Sequence, residues 1–117
     1  MAMISPLSLE SRSTLAPAAA LFHSLGDQTR LAILRQLSEG EARVVDLVTE
    51  LGLAQSTVSK HLACLRDCQL VRFRIEGHQS FYSLAQPALQ DVLAAAEKLL
   101  EATGSAVALC QNYGVCK

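Results

Sequence analysis

Apolar residues recur at helical spacing in several segments of the chain. The first segment runs from Leu15 to Leu25, with Pro17 in its opening turn. The second follows Asp27, a residue suited to an N-cap, and ends at 39–40. Spacing of three to four residues between apolar positions predicts amphipathic helices that bury one face.

Two further helices follow in close succession. A short helix, 44–51, is closed by Gly52, and Leu53 leads directly into a longer helix from about Gln55 to Cys68. Two helices joined by so tight a turn are typical of a helix-turn-helix. The second of them would be the DNA-recognition helix.

A hairpin and a last helix complete the pattern. Two alternating runs, 70–75 and 80–84, are joined by 76–79, which predicts a β-hairpin with basic residues near its tip. Pro87 opens a final helix whose broad apolar stripe extends to Gly104. Such a stripe on a terminal helix suggests that it binds a partner.

The expected fold is therefore mainly α-helical with a small β-hairpin, a dimeric winged helix-turn-helix. We expect one domain over 14–104, preceded by a disordered tail over 1–13 and followed by a flexible, cysteine-containing tail over 105–117.

Composition narrows the class of protein. The chain has 117 residues and a net charge of −1, so any DNA binding must come from a local basic patch rather than from overall charge. No apolar run approaches the roughly 18 residues that span a bilayer, and no basic segment opens a secretion signal. We expect a cytoplasmic protein without a membrane partner.

Two of the four cysteines, Cys64 and Cys68, lie on the predicted recognition helix. Four helical residues advance about 400° and rise about 6 Å, so both sulfurs share one face and can reach one ion. Two thiolates do not complete a site for a soft metal, and only Cys110 and Cys116 remain as further ligands. Metal binding or redox chemistry is favoured in a reducing compartment, with buried, inert thiols as the alternative.

Several segments together resemble the ArsR/SmtB metal-sensing repressors. The matching segments are 25–34, 46–47, 51–62, 65–67, and 76–77 with Tyr82. The resemblance, over about residues 18–102, implies a homodimer formed by the first and last helices. It also implies that the dimer binds an inverted-repeat operator in double-stranded DNA and is released by metal.

The start of the fourth helix and the hairpin hold the candidate DNA contacts. Short polar side chains, an amide and a cation suit base edges and phosphates, and the wing would clamp the flanking backbone. The candidates are Gln55, Ser56, Thr57, Ser59, Lys60 and His61 on the helix, and Arg72, Arg74, His78 and Gln79 on the wing. For His61, orienting the helix or packing is as reasonable a role as touching DNA, and each wing residue has an ordinary surface role as its alternative.

Three residues depart from the family pattern. Ala54 stands where a Ser or Thr cap is usual, which removes about 1 kcal/mol of capping. Gln69 replaces a glycine at a helix end that often takes a left-handed conformation, so strain or a rerouted turn is expected. His78 replaces an arginine, which weakens a phosphate contact and makes DNA affinity more dependent on pH.

The resemblance also restricts where metal binds. The Cys-Val-Cys segment of arsenite and cadmium sensors is replaced by residues 43–45, Arg-Val-Val, and the last helix has Asp91, Glu97 and Glu101 but no histidine for a zinc site. Cys64 and Cys68 with Cys110 look like the CmtR-type cadmium and lead sensor subgroup, and Cys116 is an addition.

The sequence thus predicts a repressor that leaves DNA on binding Cd(II) or Pb(II). As(III), Zn(II) and Cu(I) are also chemically allowed by thiolates, and the number of ligands, three or four, stays open. The alternatives are an arsenite-responsive or thiol-redox or persulfide-responsive repressor, a permanent zinc site and an interaction module. Because no catalytic constellation is present, an enzyme is not expected.

Overall fold

The computed structural model describes residues 9–104 and 106, with side chains from residue 14 onward. The elements are α1 (Leu9–Leu25), α2 (Gln28–Leu37), β1 (Ala42–Arg43), α3 (Val44–Leu51), α4 (Gln55–Asp67), β2 (Val71–Glu76), β3 (Gln79–Leu84) and α5 (Ala88–Ala102). The predicted winged helix-turn-helix is confirmed, with α3 and α4 as the helix-turn-helix and β2–β3 as the wing.

Local signals set the starts of α2 and α4 and both ends of α3, as predicted, whereas α2 ends at Leu37 rather than at 39–40. The Asp27 carboxylate accepts a hydrogen bond of 3.0 Å from the backbone N–H of Arg30, so it caps α2 as expected. Gly52 ends α3 with φ of 67°, a left-handed conformation that costs glycine nothing. The tight turn between α3 and α4 follows from this cap.

The first helix is longer than predicted. It begins at Leu9 rather than Leu15, so residues 9–13 are helical and their assignment to a disordered tail is wrong; residues 1–8 lie outside the described part. Pro17 accordingly lies in the middle of α1 instead of its first turn. Proline removes one backbone hydrogen bond, at a cost of about 3 kcal/mol. Helix-forming residues on its N-terminal side, such as Leu9 and Glu10, continue the helix despite that cost.

The sheet has three strands where the pattern predicted two. β1 pairs antiparallel with β3, with Ala42 opposite Tyr82, and the strand order is β1-β3-β2. Two residues are too few to show alternation, so β1 escapes prediction. The wing is also tighter than expected, since Glu76 pairs with Gln79 and only two residues form the turn.

The core lies where α2, α3, α4 and the base of the sheet meet. Its fully buried side chains include Ile33, Leu34, Leu47, Leu62 and Leu65, each with no exposed surface. The inner face of α4 is therefore buried against α2 and α3. The opposite face of α4 is left exposed to solvent.

Much of the α5 stripe is not covered by its own chain. Leu89 is buried, but Leu99 is 65% exposed and Leu100 is 39% exposed.

No described helix combines the length and apolar character required to cross a bilayer.

Candidate DNA interface and cysteine cluster

The recognition helix α4 separates a buried face from a polar one. Val58 and Leu62 are completely buried, whereas Ser59 and Lys60 between them in sequence are polar and exposed. Four of the predicted DNA-contacting residues on α4 are exposed and Thr57 is half-buried; the exposed ones are Gln55, Ser56, Ser59 and Lys60. Ala54 occupies the N-cap with no side-chain hydrogen bond, as its departure from the family pattern predicts. The first turn of α4 therefore keeps backbone N–H groups without a side-chain acceptor at its cap.

His61 faces the interior of the domain. It is half-buried, and its Nδ1 accepts a hydrogen bond of 3.1 Å from Nε of Arg30 on α2. Of the two roles considered for His61, this geometry favours orienting the helix over touching DNA.

The wing has fewer free cations than its sequence indicates. Arg72, His78 and Gln79 are exposed, as expected for backbone contacts. Arg74, in contrast, forms ion pairs with Glu41 and Glu76. Arg74 as a phosphate clamp stays a prediction; in the folded chain a DNA phosphate would compete with these two carboxylates for its guanidinium.

The two helix cysteines face the corner between α1 and α2. Cys64 is half-buried and Cys68 is exposed, and both are free thiols. Cys64 Sγ accepts a hydrogen bond of 3.3 Å from Arg30 Nη2, while Cys68 Sγ lies 3.7 Å from Ser24 Oγ. Ser24 is only 8% exposed, and its carbonyl oxygen accepts a bond of 3.2 Å from Arg30 Nη1.

Sequence reasoning missed Arg30 and Ser24. Both precede the cysteines by more than thirty residues, so no local spacing links them to α4. The only signal for either residue in the sequence is that Arg30 falls in segment 25–34, which resembles the family.

Cys64 and Cys68 are the two predicted metal ligands that fall within the described residues. Across 9–104 and 106, no three His, Cys, Asp or Glu side chains gather in a way that would hold an ion. Cys110 and Cys116, the predicted further ligands, lie outside the described residues. The two thiols present on α4 fit a soft, thiophilic ion by their chemistry, because sulfur donors select such ions.

The start of α3 carries an ion pair where cadmium and arsenite sensors are expected to carry cysteines. Arg43 donates to Asp46 through Nη2, at 2.9 Å from Oδ1, and through its backbone N–H, at 2.9 Å from Oδ2. These hydrogen bonds lower the pKa of Asp46 from 3.8 to about 2. This end of α3 is therefore capped and charged, with no thiol.

A helix-turn-helix with an exposed polar second helix and a hairpin wing defines a DNA-binding transcriptional regulator. Comparison with known proteins agrees with this class: residues 27–72 match the family described as bacterial regulatory protein, arsR family. A probable mercury resistance operon repressor of Streptomyces lividans is 35% identical over 92 residues, which are 79% of this chain and 74% of that protein. The chain belongs to the ArsR family and is a transcriptional repressor rather than an enzyme.

Two further relatives bear on the site and the assembly. The regulator CmtR of Mycobacterium tuberculosis is 44% identical over 75 residues, and the match spans 64% of each chain. A homodimeric winged helix-turn-helix DNA-binding domain from Mycobacterium bovis, a possible ArsR-family regulator, superposes with a TM-score of 0.71 at 26% identity. It covers 84% of this chain and 91% of that one. The family match supports DNA binding by this chain, and the homodimeric neighbour supports dimerisation.

Proposed function

We propose that this repressor senses a thiophilic ion, Cd(II) or Pb(II), through the cysteines of its recognition helix. In this proposal Cys64 and Cys68 bind the ion together with Cys110, and Cys116 serves as an additional ligand. The observation that carries it is the placement of two free thiols, Cys64 and Cys68, toward the C-terminal end of the same helix whose N-terminal half exposes Gln55 and Lys60.

The residues of α4 explain how occupancy of the site would affect operator binding. When bound, the ion supplies a bridge between sulfur ligands. Cys64 and Cys68 would then attach the segment after Gly104 to the end of α4. Docking the segment there misplaces or rigidifies the helix, so the metal-free dimer is the form that binds the operator. Coupling between two such sites is typically about 1–3 kcal/mol and reciprocal, so operator DNA weakens ion binding by the same factor.

Exposed apolar residues support a dimer formed through α1 and α5. Leu15 and Phe22 on α1 are 50% and 63% exposed, and α5 adds Leu99 and Leu100. Apolar side chains on two terminal helices form a surface that a second copy can cover. A two-fold dimer presents two copies of α4, which suits an inverted repeat with half-sites about 34 Å apart.

Operator affinity with and without metal tests the proposal. Fluorescence anisotropy is measured for the parent, for Cys64→Ser and for Ala63→Ser, an exposed neighbour that gains the same hydroxyl without losing a thiol. We expect Cd(II) or Pb(II) to weaken operator binding about 5- to 150-fold in the parent and in Ala63→Ser. The operator affinity of Cys64→Ser should be the same with and without the ion. The proposal would be refuted if neither ion changed the operator affinity of the parent protein.

Sulfur-to-metal charge-transfer absorption then counts the ligands. Titrating the ion into Cys110→Ser and Cys116→Ser separates a three-thiolate site, which favours Pb(II) or As(III), from a four-thiolate site, which favours Cd(II) or Zn(II). Loss of signal in Cys110→Ser alone indicates three thiolates. An arm with arsenite tests the arsenite-responsive alternative, and an ion that binds without affecting DNA affinity indicates a permanent zinc site.

A thiol-redox or persulfide repressor is the second candidate, and the exposure of Cys68 as a free thiol favours it. Peroxide would oxidise one helix thiol and one of Cys110 and Cys116 to a disulfide, with two electrons and two protons passing to peroxide to give two waters. Thiol titration after peroxide would show two thiols lost per chain, together with release from the operator. A metal-sensitive, peroxide-insensitive protein excludes this candidate.

A further inference from the structure

A single side chain, Arg30, joins three helices at the cysteine cluster. From α2 it donates to the Ser24 carbonyl oxygen of α1 at 3.2 Å, to His61 Nδ1 at 3.1 Å and to Cys64 Sγ at 3.3 Å. His61 and Cys64 are three residues apart, so both lie on one face of α4. The guanidinium therefore holds α4 against the α1–α2 corner at two successive points.

The acceptors of Arg30 are unusual for a half-buried cation. Within the described part of the chain its guanidinium forms no ion pair with a carboxylate, and its three acceptors are a carbonyl oxygen, an imidazole nitrogen and a sulfur. The fork of an arginine is planar and rigid, so a change at one acceptor alters the alignment at the other two. The position of the Cys64 sulfur is thus tied to His61, which directly follows the polar face of α4.

The two cysteine sulfurs are held by different partners. Cys64 Sγ contacts Arg30, whereas Cys68 Sγ contacts the hydroxyl of Ser24, whose carbonyl Arg30 also binds. Ligation requires both sulfurs to turn toward one ion, since metal–sulfur bonds are only about 2.3 Å long for an ion such as zinc. Turning Cys64 Sγ toward a shared ion would change the geometry of the hydrogen bond that it accepts from Arg30.

We propose that Arg30 is a positioning residue that transmits the state of Cys64 to the recognition helix. In the metal-free protein the fork of Arg30 holds His61 and Cys64, and with them α4, in the orientation that binds DNA. Withdrawal of the Cys64 sulfur on ligation breaks this alignment at the α1–α2 corner. The inference rests on the proposed function and adds the contact through which metal binding and DNA binding communicate.

The main test compares Arg30→Gln and Arg30→Lys with the parent. Arg30→Lys keeps the charge but has no fork, and Arg35→Gln removes an exposed cation from the same helix as a control. For each protein, operator affinity is measured by anisotropy with and without Cd(II), and the bound thiolates are counted by charge-transfer absorption. Circular dichroism and thermal unfolding identify any variant that does not fold.

We expect the metal-free to metal-loaded affinity ratio to stay at 5- to 150-fold in the parent and in Arg35→Gln, and to fall toward one in both Arg30 variants. The charge-transfer stoichiometry should remain that of the parent, which a general structural defect would not preserve. A parental ratio in Arg30→Gln or Arg30→Lys would overturn the inference while leaving the proposed function standing. A parent that does not respond to metal would refute the proposed function, and the inference with it.

A double-mutant cycle on the metal-free protein keeps the inference testable if one Arg30 variant fails to fold. Operator affinity is measured for Arg30→Lys combined with Cys64→Ser, and for Arg30→Lys combined with Cys68→Ser. Because Arg30 hydrogen-bonds Cys64, whereas the hydrogen-bond partner of Cys68 is Ser24, the first pair should depart from additivity by about fivefold or more and the second by less than about twofold. Equal behaviour of the two pairs would contradict the assigned contact.

Discussion

Arg74 on the wing and Glu41 before β1 form a two-point ion pair. Arg74 Nε lies 2.8 Å from Glu41 Oε2, and Nη2 lies 2.9 Å from Oε1. This hydrogen-bonded pair lowers the pKa of Glu41 and raises that of Arg74. The arginine also stacks over Phe81, with its guanidinium carbon 4.7 Å from the ring centroid. The positive charge of Arg74 on the wing is therefore paired with carboxylates of the same chain.

Glu41→Gln should strengthen operator binding. Removing the carboxylate charge leaves Arg74 more available to a phosphate, so we expect affinity to rise several-fold and the slope of log affinity against log salt to steepen by about one. Anisotropy titrations over a salt series measure both quantities. Glu39→Gln removes an equal charge from a nearby exposed position without releasing Arg74, and a similar gain there would indicate only a change in net charge.

Gln69→Gly should stabilise the domain. Gln69 has φ of 62° and is the only non-glycine residue with positive φ in the described part of the chain, as its departure from the family pattern anticipates. The left-handed conformation costs a residue with a side chain about 1–2 kcal/mol, and substitution by glycine removes that cost. The greater entropy of glycine in the unfolded state offsets part of this stabilisation. Urea unfolding should show a net increase of up to about 1 kcal/mol. Gln69→Ala, which keeps a Cβ, should show no such increase.

Ala54→Ser should also raise stability. Ala54 occupies the N-cap of α4 in an extended conformation, with φ of −67° and ψ of 147°, and has no side-chain oxygen for the first-turn N–H groups. A serine hydroxyl placed there should contribute about 1 kcal/mol to the free energy of unfolding. Ala54→Val offers no acceptor, so an equal gain in that variant would argue against capping as the cause.

Acid should remove a stabilising contribution from Asp46. Hydrogen bonds from the Arg43 side chain and backbone lower the pKa of this carboxylate from 3.8 to about 2. A depressed folded-state pKa stabilises the protein above the unfolded value, and this contribution disappears as pH falls from about 4 to about 2. Unfolding free energy measured along an acid series should therefore fall less steeply in Asp46→Asn than in the parent.

Asp46→Asn should in addition be modestly less stable near neutral pH, because it weakens the cap of α3. Glu50→Gln, on the exposed end of the same helix, serves as the control. If both variants follow the same acid curve as the parent, the Arg43–Asp46 pair does not contribute to the pH dependence.

The sequence by itself was sufficient for the elements whose ends carry local signals. Asp27 and Gly52 act within a single turn of the helix that they cap, so the start of α2, the whole of α3 and the start of α4 agree with the prediction. The same holds for the shared face of Cys64 and Cys68, which follows from helical geometry alone. α1 was predicted too short because Pro17 is an ambiguous signal: it opens helices more often than it interrupts them.

Only the tertiary structure decided which side chains meet. Arg30 reaches His61 and Cys64 across more than thirty residues, and Arg74 reaches Glu41 over a similar span. Periodicity records which face of an element is buried, but it carries no information on the partners that packing brings to that face. For this reason the charge available on the wing, and the attachment of the cysteine pair to the α1–α2 corner, emerged only from the folded chain.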